Sequence, residues 1–418
     1  MRPGAFRPRQ TGNHGREDSA ASMRPAVMNS SVSIPASAEV APVQSAIDVA
    51  LAPVTDRAAV GRLWQDLEPR ADCSYFQSWA WIGTWLDVLP DGVRPHLLVA
   101  RAGGEVVGLG ILCHHVVTRH GWLRSRAAFL HETGNPDLDC LTVEHNGFLV
   151  DRTRGPEIER AMLQTLVTGG DWEELMLSGV DPRYADVARD ARLDVFERAV
   201  QPSPYVDLDA VRAGGKGYLG QVSSNTRQQI RRALKLYGET GPLRAVEPAD
   251  LAEALRFFGA LKTLHQQVWT GRGRSGAFAM PFFERFHEAL IRARFAHGEI
   301  QLLRIEAGDT PLGYLYSMVR DGHVYFYQSG LSYSDDPKLK PGHVCHHLAI
   351  ERNLAGGARV YDFLAGDSQY KRSLGTHSKP LVWLSARRPR LKFRLENMLR
   401  QAKRKLARAG AAGDRAST

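Results

Sequence analysis

The sequence predicts an α/β protein built from two similar units, each a mixed, mostly antiparallel sheet flanked by helices. Three observations predict it. Leu97-Leu98, Gly103 and Gly108 recur as Leu302-Leu303, Gly308 and Gly313, each at the same offset of 205 residues. Residues 159–179 align without gaps on residues 346–366, matching Gly169-Gly170 with Gly356-Gly357 and Gly179 with Gly366. At 418 residues, 43% of them hydrophobic, the chain is long enough for two sizeable cores. The copies differ at one chemically telling position: Asp362 stands in an otherwise apolar strand where the first copy has Leu175. That asymmetry points to a scaffold copy and a working copy, the second.

Elements can be placed in order. Residues 1–45, rich in Arg, Pro, Ser and Ala and without a signal-peptide core, read as a disordered leader, or as an upstream start with Met23 or Met28 the true one. The first unit, 46–200, begins near Ile47 and contains a Trp-rich helix over 74–89, too apolar for an exposed face. A strand pair follows, with Gly103-Gly104 supplying the left-handed positions of a tight hairpin turn. Next come the strand AFLHETG, a helix starting near Pro156 and the strand EELMLSG, and Gln201–Pro204 reads as a linker. The second unit, 201–386, opens with a helix capped at Ser223-Ser224-Asn225 and ending at a glycine. Two further helices precede the strand pair IQLLRIE and PLGYLYSMV, the strand HVYFYQSG, a helix starting at Pro341 and the strand ARVYDFLAG.

Charge narrows the function classes. The net charge is +9, and residues 387–418 alone hold eleven Lys/Arg against two Asp/Glu. The body is therefore near neutral, and a fold that wraps DNA is not indicated. Cys73, Cys113, Cys140 and Cys345 lack the close spacing of zinc or redox pairs. The adjacent pairs His114-His115 and His346-His347 point in different directions on any regular element, so no metal site is expected. No segment approaches the ~20 apolar residues needed to span a bilayer. A cytoplasmic protein is expected, with any membrane contact peripheral.

The order of elements, with PLGYLYS, VYFYQSG, LKPGHVCHHLAIERNLAGGARVYDF and LAGDSQYKRSLG, resembles the GNAT-like acetyltransferase domain of CelD-type proteins. That domain is associated with cellulose and exopolysaccharide clusters and is related to the tandem-GNAT FemAB transferases. The resemblance covers roughly residues 215–380, and the N-terminal half looks like a diverged partner domain shaping the acceptor cleft. It implies tandem GNAT-like domains, an acyl-CoA co-substrate, acetyl-CoA or longer, and N-acyl transfer to a small-molecule or lipid-linked amine.

Such a transferase must hold a pyrophosphate, splay a pair of strands to admit the pantetheine arm and offer donors to the thioester oxygen. A glycine-opened helix start suits the phosphates. Lys338, Lys340, Pro341, Gly342 and His343 supply one, with a preset φ at Pro341 and room for close approach at Gly342. The usual GNAT phosphate loop has more than this single glycine, which leaves room for another acyl carrier or for aminoacyl-tRNA. Asp362, on an apolar strand, is placed as a general base with its pKa raised by burial. Tyr370 is placed to protonate the thiolate and Lys371 to bind an acceptor carboxylate or phosphate, a pair the family resemblance reinforces. Gln328 is placed against the acceptor. Arg227 and Arg231 share one helix face, either a phosphate-docking surface or a solvated face.

In the tail, 387–418, Leu391, Leu395, Met398, Leu399, Ala402 and Leu406 form an apolar stripe among basic residues. It suits an anionic membrane surface, or a helix packed on its own domain. The expected function is N-acyl transfer in envelope or exopolysaccharide biosynthesis. The alternatives are a FemAB-like transferase using aminoacyl-tRNA and a non-catalytic accessory protein of a polysaccharide synthase.

Overall fold

The computed structural model describes residues 45–400. Most of the expected leader and the end of the basic tail lie outside the described residues.

The first half comprises β1 (Ile47–Pro53), α1 (Arg57–Leu67), α2 (Trp79–Val88), β2 (His96–Ala102), β3 (Glu105–Arg119), β4 (Leu123–Leu130), β5 (Leu149–Val150), α3 (Gly155–Thr168), β6 (Glu174–Val180), α4 (Arg183–Asp190) and β7 (Asp194–Asp207). The second comprises α5 (Leu208–Ala213), α6 (Gly217–Gln221), α7 (Ser224–Gly238), β8 (Leu243–Val246), α8 (Leu251–Gly271), α9 (Pro281–Arg294), β9 (Ile300–Ala307), β10 (Thr310–Arg320), β11 (His323–Leu331), α10 (Pro341–Ala355), β12 (Val360–Asp362), α11 (Gln369–Leu374) and β13 (His377–Arg387). Residues 391–400 form a further helical run. Local chemistry sets the boundaries: Asp56 caps α1 through the Ala59 amide at 2.9 Å, and Ser223 caps α7 through the Thr226 amide at 3.2 Å. Gly103 and Gly104, at φ 58° and 87°, make the β2–β3 turn.

The repeated glycines mark one contact used twice. A Cβ on Gly108 would lie 2.6 Å from Ile158 of α3, and one on Gly313 would lie 3.2 Å from the Cys345 sulfur of α10. Ile158 and Cys345 stand immediately before the second repeat segment, at its same offset of 187 residues. In each half, then, a glycine on the inner hairpin strand lets the helix that follows the third strand sit directly on the sheet.

All strands join one sheet in the order β1-β2-β3-β4-β6-β13-β7-β12-β11-β10-β9-β8, with β5 added on β3. Each half therefore gives its last strand to the other. β7, from the first half, pairs with β12, β13, from the second, pairs with β6, and the two exchanged strands pair antiparallel along the middle. This corrects the reading of Gln201–Pro204 as a linker, because these residues lie within β7, with Pro202 opposite Pro380 and Pro204 opposite Ser378. Proline cannot donate to a ladder, which is why the stretch looked irregular. Its carbonyls still accept.

On one face of the sheet a single apolar cluster draws from both halves: Trp81 and Trp85 of α2 meet Phe282, Phe283 and Phe286 of α9, with Trp81 and Phe286 edge to face at 4.6 Å. The opposite face carries one cluster under α3 and α4 and another under α7 and α10. Among the described residues no helix is long and apolar enough to cross a membrane.

Candidate active site

β11 and β12 run parallel but pair only at His323 with Val360, Val324 with Tyr361 and Tyr325 with Asp362. Beyond Tyr325 they diverge. β11 continues along β10 as far as Leu331. The chain after Asp362 instead follows β7, with the Phe363 and Gly366 amides donating to the Pro204 and Pro202 carbonyls at 3.0 and 2.9 Å. Leu364 makes the departure at φ 61°, a left-handed conformation unfavourable for a branched side chain. Its amide donates to Asp362 Oδ1 at 2.8 Å, a local turn that stabilises this geometry.

The splayed strands open onto a cleft of about 510 Å³ lined by Gln328 and Ser329 of β11, His346 of α10, Tyr370 of α11 and Trp269 of α8. Its outer wall is Lys340, Pro341, Gly342 and His343. No side chain caps this end of α10, so the first-turn amide of Gly342 keeps its free hydrogen-bonding capacity beside the Lys340 ammonium. A Cβ on Gly342 would stand 3.3 Å from Leu331.

Residues 224–372 match the family model described as an acetyltransferase (GNAT) domain. No curated protein matches the chain. Among solved structures, FemX aligns with TM-score 0.51 at 13% identity, over 82% of this chain and 98% of FemX. The C-terminal domain of a putative lysylphosphatidylglycerol synthetase from Agrobacterium fabrum aligns with TM-score 0.48 at 12% identity, over 80% and 93%. A tandem GNAT protein from the clavulanic acid biosynthesis pathway aligns with TM-score 0.44 at 14% identity, over 81% and 98%. The FemX likeness is one of fold and spans both halves.

Within the residues that match this model, the sequence-predicted residues divide. Lys340, Pro341, Gly342, His343, Gln328 and Tyr370 line the cleft. Lys338 is exposed outside it, its amide donating to Asp336 at 2.8 Å. Arg227 and Arg231 also lie outside. α7 buries Ile230, Ala233 and Tyr237, which leaves Arg231 exposed and Arg227 donating to the Leu219 carbonyl at 3.4 Å.

Asp362 is fully buried and does not line the cleft. Its carboxylate accepts from Leu364, from Ser203 Oγ at 3.2 Å and pairs with His323 Nε2 at 3.2 Å, while His145 Nε2 also lies 3.2 Å away. Burial alone would raise its pKa, but His145 and then His323 outweigh it and hold the carboxyl below its usual range. The expectation of a general base with a raised pKa is thereby corrected: an acid this stable as its anion takes up no proton near neutrality, and Asp362 instead positions the end of β12. Lys371 likewise points inward, donating to the Leu364 and Ala365 carbonyls at 3.1 and 2.6 Å. It fixes the same bend rather than presenting a free ammonium.

Tyr370 stacks on His346 with ring centres 5.6 Å apart, and burial raises its hydroxyl pKa, so it holds its proton. His346 Nδ1 lies 3.0 Å from the Tyr361 hydroxyl, and burial lowers its pKa to about 3.

Sequence reasoning missed a contribution from the first half. The segment from Leu141 to His145 reaches across to the bend: the Leu141 carbonyl accepts the Tyr327 hydroxyl, and Glu144 accepts the Ala365 amide. Burial raises the Glu144 pKa against the opposing pull of that amide and of Lys371. Nothing in TVEHNGFLV announced this, since neither spacing nor periodicity links it to residue 365. The equivalent gap in the first half, between β4 and β6, is filled by the same segment. The Asn146 amide donates to the Gly179 carbonyl at 3.0 Å, and Asn146 Nδ2 donates to the Leu130 carbonyl at 3.0 Å. Glu159, the counterpart of His346, is buried with Arg183 and the Tyr184 hydroxyl on its carboxylate.

Proposed function

We propose that this protein transfers an acyl group from an acyl-CoA-type thioester to an amine, using the second-half cleft for the donor and the first half to shape the acceptor side. The observation that carries the reading is the divergence of β11 from β12 in line with the uncapped, basic start of α10. The diphosphate of the donor would meet the Gly342 amide and Lys340, and its arm would run between the strands towards Gln328 and Tyr370. The acceptor nitrogen attacks the thioester carbon, a C–N bond forms and the C–S bond breaks. Tyr370 gives its proton to the departing thiolate, and Glu144 takes the proton lost by the acceptor ammonium. Glu144 replaces Asp362 in this role because burial raises its pKa and its carboxylate stands on the Ala365 amide, at the bend where the strands part. The acceptor we propose is an amine of an envelope or exopolysaccharide precursor, presented at the inner face of a membrane.

Calorimetric titration with CoA, acetyl-CoA and a long-chain acyl-CoA tests the donor site, alongside Gly342→Trp. Saturable binding that the variant loses supports it. If no thioester binds but charged tRNA binds in a salt-sensitive manner, the FemAB-like reading takes its place. Binding of neither favours the accessory role.

A further inference from the structure

We propose that the outer face of the helix at 391–400, together with Trp122, is a surface that seats on an anionic lipid bilayer. The helix is fastened by its other face. Phe393 and Glu396 are 1% exposed. The Glu396 carboxylate meets Arg119 at 3.3 Å, Arg387 at 3.2 Å and Arg400 at 2.6 Å. Lys392 reaches the Arg124 carbonyl and Glu173, both at 2.7 Å. So anchored, the helix leaves Leu391, Leu395, Met398 and Leu399 outward, 82%, 45%, 60% and 48% exposed. Their spacing of four, three and one residues places them on one stripe.

Trp122 is 56% exposed at the tip of the β3–β4 turn, between His120, which lies 3.5 Å from Glu396, and Arg124. The turn that grips the helix thus carries its own bare indole. Only three other large apolar side chains are comparably exposed among the described residues, Val116, Val200 and Tyr333, and of the two outside β3, Val200 lies in β7 and Tyr333 in the loop after β11. Exposed apolar area concentrated in this way calls for a cover.

Charge selects the cover. Residues 387–418 carry eleven Lys/Arg and two Asp/Glu, and one of those acids, Glu396, is turned inward and paired. Arg390 and Arg394 are exposed alongside the stripe. A second copy of the chain would bring the same positive charge against this face. An anionic bilayer supplies negative headgroups for the arginines, an apolar layer for the leucines and an interfacial zone that favours tryptophan.

The test is co-sedimentation of the full chain with vesicles of phosphatidylglycerol and phosphatidylethanolamine, against vesicles of phosphatidylcholine alone. The expected result is binding to the anionic vesicles only, weakened at least tenfold by Leu395→Glu with Leu399→Glu, and also weakened by Trp122→Ala. Both variants should keep the wild-type thermal unfolding curve, since the replaced side chains point outward. No sedimentation of the wild type with anionic vesicles overturns the proposal, as does a Leu395→Glu, Leu399→Glu variant that binds undiminished, which would reduce the contact to charge alone. A dimer in light scattering that the same double variant dissociates would assign the face to a second copy and equally overturn it. Vesicle binding is read without donor or acceptor, so its failure leaves the acyl-transfer reading untouched, and the reverse holds.

Discussion

Asp362 Oδ1 accepts the amide of Leu364 at 2.8 Å, and this bond sets the point at which β12 leaves β11. A leucine at φ 61° is unfavourable by itself, so the carboxylate and the Lys371 clamp on the next carbonyls must hold it. Asp362→Ala is expected to destabilise the protein by roughly 1–3 kcal/mol for each buried donor left without its acceptor, because it strips the carboxylate from His323 Nε2, Ser203 Oγ and the Leu364 amide. Asp362→Asn retains an oxygen for the Leu364 amide and should lose less, while keeping more thioester binding than the alanine variant. Urea midpoints and calorimetry measure the two effects. Equal midpoints for wild type and Asp362→Ala would show that the carboxylate does not hold the bend. The pKa of this acid is lowered in the fold, so its contribution is fully present above the unfolded value of about 3.9. It is lost as pH falls below that.

A second pH dependence has its origin in buried histidines. Burial lowers His131 to about 4 and both His287 and His346 to about 3. Released by unfolding, each returns to about 6.5. Between those values the unfolded chain binds more protons than the fold, so stability rises with pH across this window. Each histidine adds up to about 1.4 kcal/mol per pH unit there. Urea unfolding at intervals from pH 4.5 to 7 should give a steep rise that flattens near 7. Burial also lifts the Glu132 carboxyl to about 7, which offsets roughly one histidine across this window, so a level profile would mean that most of these imidazoles are charged in the fold.

Glu144 and Tyr370 make separable kinetic predictions. With the Glu144 pKa raised by burial, the rate should climb as pH rises through that value, because the base works only when ionised. Glu144→Gln should abolish this limb and slow transfer by about 10²–10⁴-fold. Tyr370→Phe should slow transfer over a similar range and leave the acidic limb in place. Thiol release from acyl-CoA in the presence of an amine panel reads both. Unchanged donor affinity in each variant belongs to the expectation, and a Glu144→Gln enzyme with the wild-type pH profile would remove Glu144 from the proton path.

Much of the cleft wall was legible in sequence and little of what the first half brings to the bend beside it. The start of α10 is a local signal, in which Pro341, Gly342 and Lys340 act through their own backbone and charge. Asp362 was conspicuous on an apolar strand, yet its role was misread, because His145, which lies 217 positions earlier, decides its ionisation. Period-two alternation would put Val360, Asp362 and Leu364 on one face. The left-handed Leu364 ends that alternation after Asp362, and no residue type at 364 signals it. In the tail, Leu391, Leu395, Met398 and Leu399 of the expected stripe share an exposed face, while Ala402 and Leu406 lie outside the described residues. It was Phe393 and Glu396, between its members, that docked, the carboxylate among Arg119, Arg387 and Arg400, partners that lie outside the helix's own periodicity or at its end.

The exchange of β7 and β13 was invisible for a related reason: period-two alternation says which face of a strand is buried, but not which strand lies beside it. It also makes a sharp prediction. A boundary at 200/201 cuts through β7, and a fragment of residues 46–200 would lack β13. β6 would then expose the edge that Leu384 to Arg387 cover in the full chain. It would also leave Glu174 buried without Ser385 and Arg387, which lie 2.7 and 3.3 Å from its carboxylate. An open edge and a partly unpaired buried acid both disfavour an independent fold. The fragment is expected to aggregate or remain unfolded, as is the complementary 201–400 piece, while co-expression of the two should restore a soluble complex. Gel filtration and circular dichroism decide the matter. A 46–200 fragment that unfolds cooperatively by itself would show that the shared strands are dispensable to the first half, because β6 would then be stable without the partner that the second half lends it.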